Sequence, residues 1–327
     1  MLTGQESIKE LMAKNSHVEA ILSQFGLTPQ VVRKNKYTNL AHAAITLKQP
    51  LGKILEALAE AMGEEVKKPN VKGLDHHGHR SGGLRTGKIE GIKNIIAVHS
   101  GKGGVGKTFV AVNLAVYLAK TGCKVGLLDA DIDCPNVMRM LKMKGKLVAN
   151  CHNKIDPLEK FGVKVVSVAP MLPAEDDAVM WRGPVISRAV EQLVHDTEWG
   201  ELDYLIIDMP PGTSDIPLSI LHMLSNCKVL VVTTPQELSM LDAQRSIKMA
   251  QKMGREVVGL IENMSGEVFG EIGGGSRLHQ SLKKEGIPVV GSIKLQAAYS
   301  RGGADGQPPV LSDVALEKIF SKILEVI

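Results

Sequence analysis

The stretch Gly101-Lys102-Gly103-Gly104-Val105-Gly106-Lys107-Thr108 gathers the residue types needed to hold a polyphosphate. Its glycines leave backbone N–H groups free to wrap an anion, and the helical pattern that follows adds the partial positive charge of a helix N-terminus. In that setting Lys107 neutralises the β- and γ-phosphates, and the Thr108 hydroxyl takes a place on Mg2+. Phe109, next in the chain, completes the contiguous run assigned to ATP. Gly101, Gly103 and Gly106 also fit the dinucleotide pattern G-x-G-x-x-G, with Asp129 placed where a ribose-binding acid would stand. Lys107-Thr108 has no role in that motif. Asp208, followed by Met209-Pro210-Pro211-Gly212, supplies a Mg2+-proximal carboxylate and a γ-phosphate-sensing glycine, and decides for a P-loop.

A second pattern, Asn153-Lys154-Ile155-Asp156, spells the guanine-reading N-K-x-D. It precedes Asp208, whereas a base-reading strand should follow the Mg2+ aspartate, so it is set aside. Asn263 ends a strand on the correct side, and its amide can both donate to and accept from an adenine edge.

The elements that must position these residues follow from periodicity. Short runs rich in Val, Ile and Leu alternate with helical stretches beyond Ile92, which predicts a largely parallel sheet covered on both faces. The expected strands are Asn94–Ser100, Lys124–Asp129, Val163–Ala169, Tyr204–Asp208, Lys228–Thr234, Val257–Asn263 and Pro288–Ile293, with a last helix over Val314–Ile327. Upstream, Ser7 with Glu10 and Ser16 with Glu19 form capping boxes, Gly26 reads as a helix stop, and a further helix is expected over Pro50–Met62. The organisation is therefore a small all-helical domain over 1–63, a flexible linker over 64–90 and a doubly wound α/β P-loop NTPase domain over 91–327. His76, His77 and His79 fall in the linker and read as solvated polar residues rather than metal ligands.

Composition narrows the functional classes. A net charge of +4 and an aromatic content of 3% give no basic stripe and no stacking platform, which argues against nucleic acid as a partner. No apolar run approaches the roughly 18 residues a membrane span needs. Cys123, Cys134, Cys151 and Cys227 are too scattered for a disulfide framework, so the expected setting is the cytoplasm. The last helix carries an apolar stripe, Leu316, Ile319, Phe320, Ile323, Leu324 and Ile327, that suits either a membrane surface or the sheet. Lys318 and Lys322 balance Glu317 and Glu325, so sheet packing is the expectation.

With Lys102 directly after Gly101, the loop resembles the deviant Walker A motif of the MinD/ParA/nitrogenase-iron-protein group. The resemblance narrows to the Mrp/ApbC iron–sulfur carrier family across residues 92–327. Its carriers are Leu127-Leu128-Asp129-Ala130-Asp131-Ile132 with Pro135, Trp181-Arg182-Gly183-Pro184, WGELDYLIIDMPPGTSD from Trp199 to Asp215, Thr233-Thr234-Pro235-Gln236 and Glu262-Asn263-Met264-Ser265. It implies a homodimeric, Mg2+-dependent ATPase, converting ATP and water to ADP and phosphate, in which Lys102 reaches the partner's nucleotide. Asp131 would orient the attacking water, and Asp129 with Asp208 would bind Mg2+ through its waters. Trp181 and Arg182 suit a partner surface and simple packing equally.

The chain departs from the family where its members carry a Cys-Pro-x-Cys loop that holds a cluster between two subunits. Here the segment reads Glu262-Asn263-Met264-Ser265-Gly266-Glu267-Val268-Phe269-Gly270, without cysteine. Cys134 lies in the first switch and is the one thiol left as a candidate ligand; two such thiolates across a dimer are half of what a [4Fe–4S] cluster takes. Two functions remain open. One is an ATP-dependent carrier or maturation factor that serves an iron–sulfur apoprotein client. The other is a MinD/ParA-like dimerisation switch for a protein partner, with no cluster.

Overall fold

The computed structural model describes residues 8, 11, 16–28, 54, 57, 58, 60, 61, 84–145, 147–150, 154–168, 183–271, 277–299 and 305–327. The chain divides into two units, Met1–Ser81 and Gly82–Ile327. In the first, helix α1 (Ser16–Gln24) starts at the second capping-box serine. It stops at Gly26 as expected: the glycine takes φ 78°, Gly26 N bonds Ser23 O at 3.0 Å and Leu27 N bonds Leu22 O at 2.9 Å. These left-handed closing bonds satisfy the last helical carbonyls. Ile8, Leu11, Val18, Leu22, Leu27, Ile54 and Leu58 are buried. Ser7, Glu10, most of Pro50–Met62 and His76, His77 and His79 lie outside the described residues.

The second unit is an α/β fold. Its strands are β1 (Ile92–His99), β2 (Val125–Asp129), β3 (Val148–Ala149), β4 (Ile155–Asp156), β5 (Leu158–Lys160), β6 (Val163–Ser167), β7 (Leu202–Asp208), β8 (Lys228–Thr233), β9 (Val257–Ser265) and β10 (Val289–Lys294). Its helices are α2 (Lys107–Lys120), α3 (Val137–Met140), α4 (Gly183–His195), α5 (Asp215–Met223), α6 (Glu237–Lys252), α7 (Arg277–Lys284) and α8 (Val314–Leu324). The main sheet runs β10-β9-β8-β1-β7-β2-β6-β5. All seven expected strands are present, and they pair with one another in parallel. The apolar runs are buried on both faces, because helices from alternate crossovers cover each side.

The periodicity did not show β5, an antiparallel edge strand joined to β6 through Phe161-Gly162. Both turn residues have positive φ, 53° and 73°, the backbone a two-residue hairpin requires. Nor did it show the β3–β4 hairpin, which absorbs part of the N-K-x-D pattern. Lys154 there donates to His195 O at 2.9 Å, and Asp156 accepts from Asn150 Nδ2 at 2.9 Å. Asn153 is outside the described residues. Arg85, in the stretch read as linker, is bound to this unit: it meets Glu191 at 3.1 Å and both carboxylate oxygens of Asp196 at 2.9 and 3.2 Å.

Helix α8 closes the sheet beside β10. Asp313 caps it, accepting from Ala315 N at 2.8 Å and Leu316 N at 3.1 Å. Leu316, Phe320 and Ile323 are fully buried, the Phe320 ring stacks on Tyr117 at 6.2 Å, and Lys120 pairs with Glu317 across the two helices. The apolar stripe is thus spent on the sheet, and no described helix is long and apolar enough to cross a membrane. Phe320→Ala should cost about 3–5 kcal/mol, the usual range for a large buried aromatic truncated to Ala. Chemical denaturation would read this as a lower unfolding midpoint, and an unchanged midpoint would remove α8 from the core.

Candidate nucleotide site

The strand order sets the site. β1 lies between β8 and β7, and β7 lies between β1 and β2, so chain connections diverge on either side of β1. Ligands of open α/β sheets sit at the carboxyl ends of strands at such a reversal. Register brings the acids there: Val98 is level with Asp208, and Asp208 with Asp129. Both aspartates are fully buried.

The loop between β1 and α2 has the backbone its glycines permit. Gly104 and Gly106 have φ 80° and 84°, a region costly for other residues. Gly106 caps α2, and a Cβ on it would strike Asn263 Nδ2. A Cβ on Gly101 would strike the Asp242 backbone of α6. Among the described residues nothing lies within 4 Å of a Cβ added to Gly103 or Gly104, so that arc of the loop is open toward them. Gly212, at φ 88°, donates its N–H to Ser100 O at 2.8 Å and so sits against the loop.

Lys107 opens α2 and is 6% exposed. Its Nζ lies 2.6 Å from Asp208 Oδ1 and 3.6 Å from Asp131 Oδ2. Burial disfavours the ammonium, but the carboxylates of Asp208 and Asp131 outweigh it, and the pKa stays above the usual lysine value. Thr108 Oγ1 donates to Asp208 Oδ2 at 2.7 Å. Asp129 accepts from Asp131 N at 3.3 Å, Val137 N at 3.2 Å and Ser167 Oγ at 3.2 Å. Burial and the neighbouring Asp208 carboxylate hold Asp129 well above the normal carboxylate range. Asp131 is also raised, chiefly by burial, with the Lys107 charge opposing and Asp208 adding to the shift.

Three carboxylates therefore surround one ammonium, an excess of negative charge at a buried point. That donor set suits a hard divalent cation with a polyphosphate, since Mg2+ takes oxygen ligands and keeps several waters. No three His, Cys, Asp or Glu side chains among the described residues form a cage of their own. Thr108, Asp208 and Asp129 would hold the ion together with water and phosphate oxygens.

Other expected residues fall close by, in roles the sequence did not give. Lys102 Nζ donates to Gln236 Oε1 at 3.3 Å, at the start of α6. Asn263 is buried and donates Nδ2 to Val105 O at 2.8 Å, so one N–H of its amide buttresses the loop while the second N–H and the carbonyl are left for other partners. Phe109 packs on Tyr299, ring centroids 5.6 Å apart. Cys134 is exposed in the turn before α3, and its backbone N–H faces Asp131. Cys227 is buried, which pushes its thiol up to about 11, and Cys123 is half-buried; Cys151, Trp181 and Arg182 are outside the described residues. The sequence reading missed Ser167, Gln236 and Asp242. Only Gln236 carried a signal, as the last letter of Thr233-Thr234-Pro235-Gln236.

Comparison with known proteins agrees with this fold. Residues 91–327 match a ParA-group family model described as NUBPL iron-transfer P-loop NTPase. The iron–sulfur cluster carrier protein of Aquifex aeolicus is 38% identical over 249 residues, covering 73% of this chain and 68% of that one. Its namesake in Synechocystis is 42% identical over 236 residues, 68% of this chain and 65% of that one. About a third of each of these relatives thus has no matched counterpart here. The mitochondrial iron–sulfur protein required for NADH dehydrogenase of Arabidopsis thaliana is 39% identical over 236 residues, 69% and 74% of the two chains. Among solved structures, a nucleotide-binding protein from Archaeoglobus fulgidus in complex with ADP matches with TM-score 0.58 at 31% identity, over 68% of this chain and 90% of that one. The cell division ATPase MinD of Pyrococcus furiosus shares the fold, with TM-score 0.55 at 24% identity over 72% and 99%.

Lys107→Ala should weaken ATP binding about 100-fold or more, the worth of one charge-assisted contact near 3 kcal/mol. Calorimetry giving an unchanged affinity would overturn the assignment of the loop.

Proposed function

Because the chain belongs to the NUBPL iron-transfer P-loop NTPase family, we propose that it binds and slowly hydrolyses Mg-ATP as a homodimer and uses that cycle in transferring iron–sulfur clusters to a client protein. The single observation behind this reading is the bonding of Lys107 and Thr108 to the buried Asp208 at the reversal of strand order. The loop amides of Gly103 and Gly104, with Lys107, receive the phosphates. Mg2+, when bound, supplies positive charge against the developing negative charge of phosphoryl transfer. Thr108, Asp129 and Asp208 orient it, and Asp131 accepts a hydrogen bond from the attacking water. Gly212 reports the γ-phosphate to the chain after β7. Lys102 leaves Gln236 and crosses to the nucleotide of a second copy. The domain limits 1–63, 64–90 and 91–327 belong to the same reading, with the helical domain as a module outside the ATPase.

The cluster is cargo, and its ligands are the open part of the proposal. The segment where family members carry their cysteine loop is a turn here, closed by Gly266 N to Gly270 O at 2.9 Å and Gly270 N to Gly266 O at 2.7 Å. Val268 and Phe269 stand exposed on it. That turn favours a second reading, an ATP-dependent dimerisation switch acting on a protein partner. Cys134 separates the two, because its position beside Asp131 ties a free thiol to the nucleotide site.

Lys102→Ala should leave ATP binding intact and slow hydrolysis about 100-fold, since a cation acting in trans is lost at the transition state. Parental turnover in that variant would make Lys102 an ordinary loop residue. Iron and acid-labile sulfide per chain after anaerobic reconstitution should be substantial in the parent and fall in Cys134→Ser. Iron retained in the variant removes Cys134 as ligand, and no iron in either protein supports the switch reading.

A further inference from the structure

One buried titratable side chain beside the nucleotide site has no part in the chemistry above. His99 closes β1, directly before Ser100 enters the loop, and is 0% exposed. Among the described residues neither Nδ1 nor Nε2 has a hydrogen-bond partner. Buried polar groups left in that condition are rare and mark strain or function. Burial, together with the nearby Lys107 ammonium, lowers its pKa to about 4, so the ring is neutral, with one N–H donor and one bare acceptor.

The polar groups that His99 faces are the carbonyls of Pro210 and Gly212, close enough to favour a proton on the ring but short of bonding geometry. Both belong to the turn after β7. That turn is pinned to β1 on either side of the histidine: Met209 N bonds Val98 O at 3.1 Å, and Gly212 N bonds Ser100 O at 2.8 Å. The ring thus lies under the turn, between its two pins, with one N–H and two carbonyls within a small displacement. Gly212 is the residue that would meet a γ-phosphate, so this displacement is the one nucleotide should cause.

We propose that His99 is a positioning residue for this turn, its ring N–H taking one of the two carbonyls when Gly212 engages a γ-phosphate. The inference rests on reading residues 101–108 and Gly212 as an ATP site. With the turn as it stands, the buried ring is unpaired and costs stability; with the turn engaged, it is paired. The histidine therefore favours the γ-phosphate-bound arrangement over the other without touching nucleotide.

Full-length His99→Leu, His99→Asn and His99→Gln, compared with the parent, test this in three readouts. These are the thermal midpoint without nucleotide, the extra rise that a non-hydrolysable ATP analogue gives over ADP, and kcat with KM for Mg-ATP. The Leu variant should melt at or above the parent, because an unpaired polar group is removed from the interior. It should keep ADP affinity within about threefold, lose the analogue-specific rise, and drop kcat about tenfold with KM little changed. One amide variant should recover most of the rate, Asn standing in for Nδ1 or Gln for Nε2. An unchanged kcat and analogue-specific rise in the Leu variant overturns the proposal. So does a parallel loss of melting temperature and ADP binding in all three, the behaviour of a purely structural histidine. If the Leu variant does not fold, at least one amide variant must retain the parental rise, or the proposal fails. A parent that binds neither nucleotide overturns the site reading and this inference together; a binding parent with indifferent variants overturns this inference alone.

Discussion

The ammonium of Lys107, buried at the first residue of α2, is the constraint on which the site depends. Taking such a charge from water costs several kcal/mol, and only close opposite charge with further hydrogen bonds repays it. Asp208 at 2.6 Å and Asp131 at 3.6 Å supply that charge, and Thr108 holds the second oxygen of Asp208. The pair ties the loop after β1 to the end of β7, and through Asp129 and Asp131 to the segment after β2. Buried ion pairs seldom add net stability, but losing one partner is severe. The arrangement therefore fixes geometry more than it stabilises the fold. Phosphate oxygens competing for Lys107 would release Asp208 and Thr108 together, the two groups expected to orient the metal.

A second connection runs through α6. Its backbone at Asp242 packs so tightly on Gly101 that only glycine fits, and its first turn holds Lys102 through Gln236. Thr234 reaches both Gln236, at 3.5 Å, and Ser239, at 2.7 Å, so the chain after β8 is braced where it meets the loop. A movement of Lys102 toward another subunit must break the Gln236 contact. The start of α6 is thus joined to the loop after β1, as Cys134 is joined to Asp131.

Much of this was legible in the residues, for local reasons. Runs of Val, Ile and Leu can be buried on both faces only as parallel strands between helices, and the seven strands read from them are present with ends shifted by up to two residues. Gly26 reads as a helix stop because a residue without Cβ takes the left-handed closing turn at little cost, and it does so at φ 78°. Edge strand β5 was not legible: three residues, Leu158–Lys160, carry no periodicity of their own and are held by pairing with β6. The anchoring of Arg85 to Glu191 and Asp196 was equally hidden, since it joins residues more than a hundred positions apart.

The sequence by itself determined the phosphate loop, the acids that belong with it and the missing cysteine loop, because each rests on residue identity at fixed spacing. Tertiary structure alone decided which of those groups meet. Register between β2 and β7 places Asp129 level with Asp208, and the long-range contact of Asn263 with Val105 makes that amide a brace for the loop. It also decided that His99, one polar residue at the end of an apolar strand, lies unpaired beneath the Gly212 turn. Strand order and register are set by pairing and packing energies between distant segments, and no local pattern carries those.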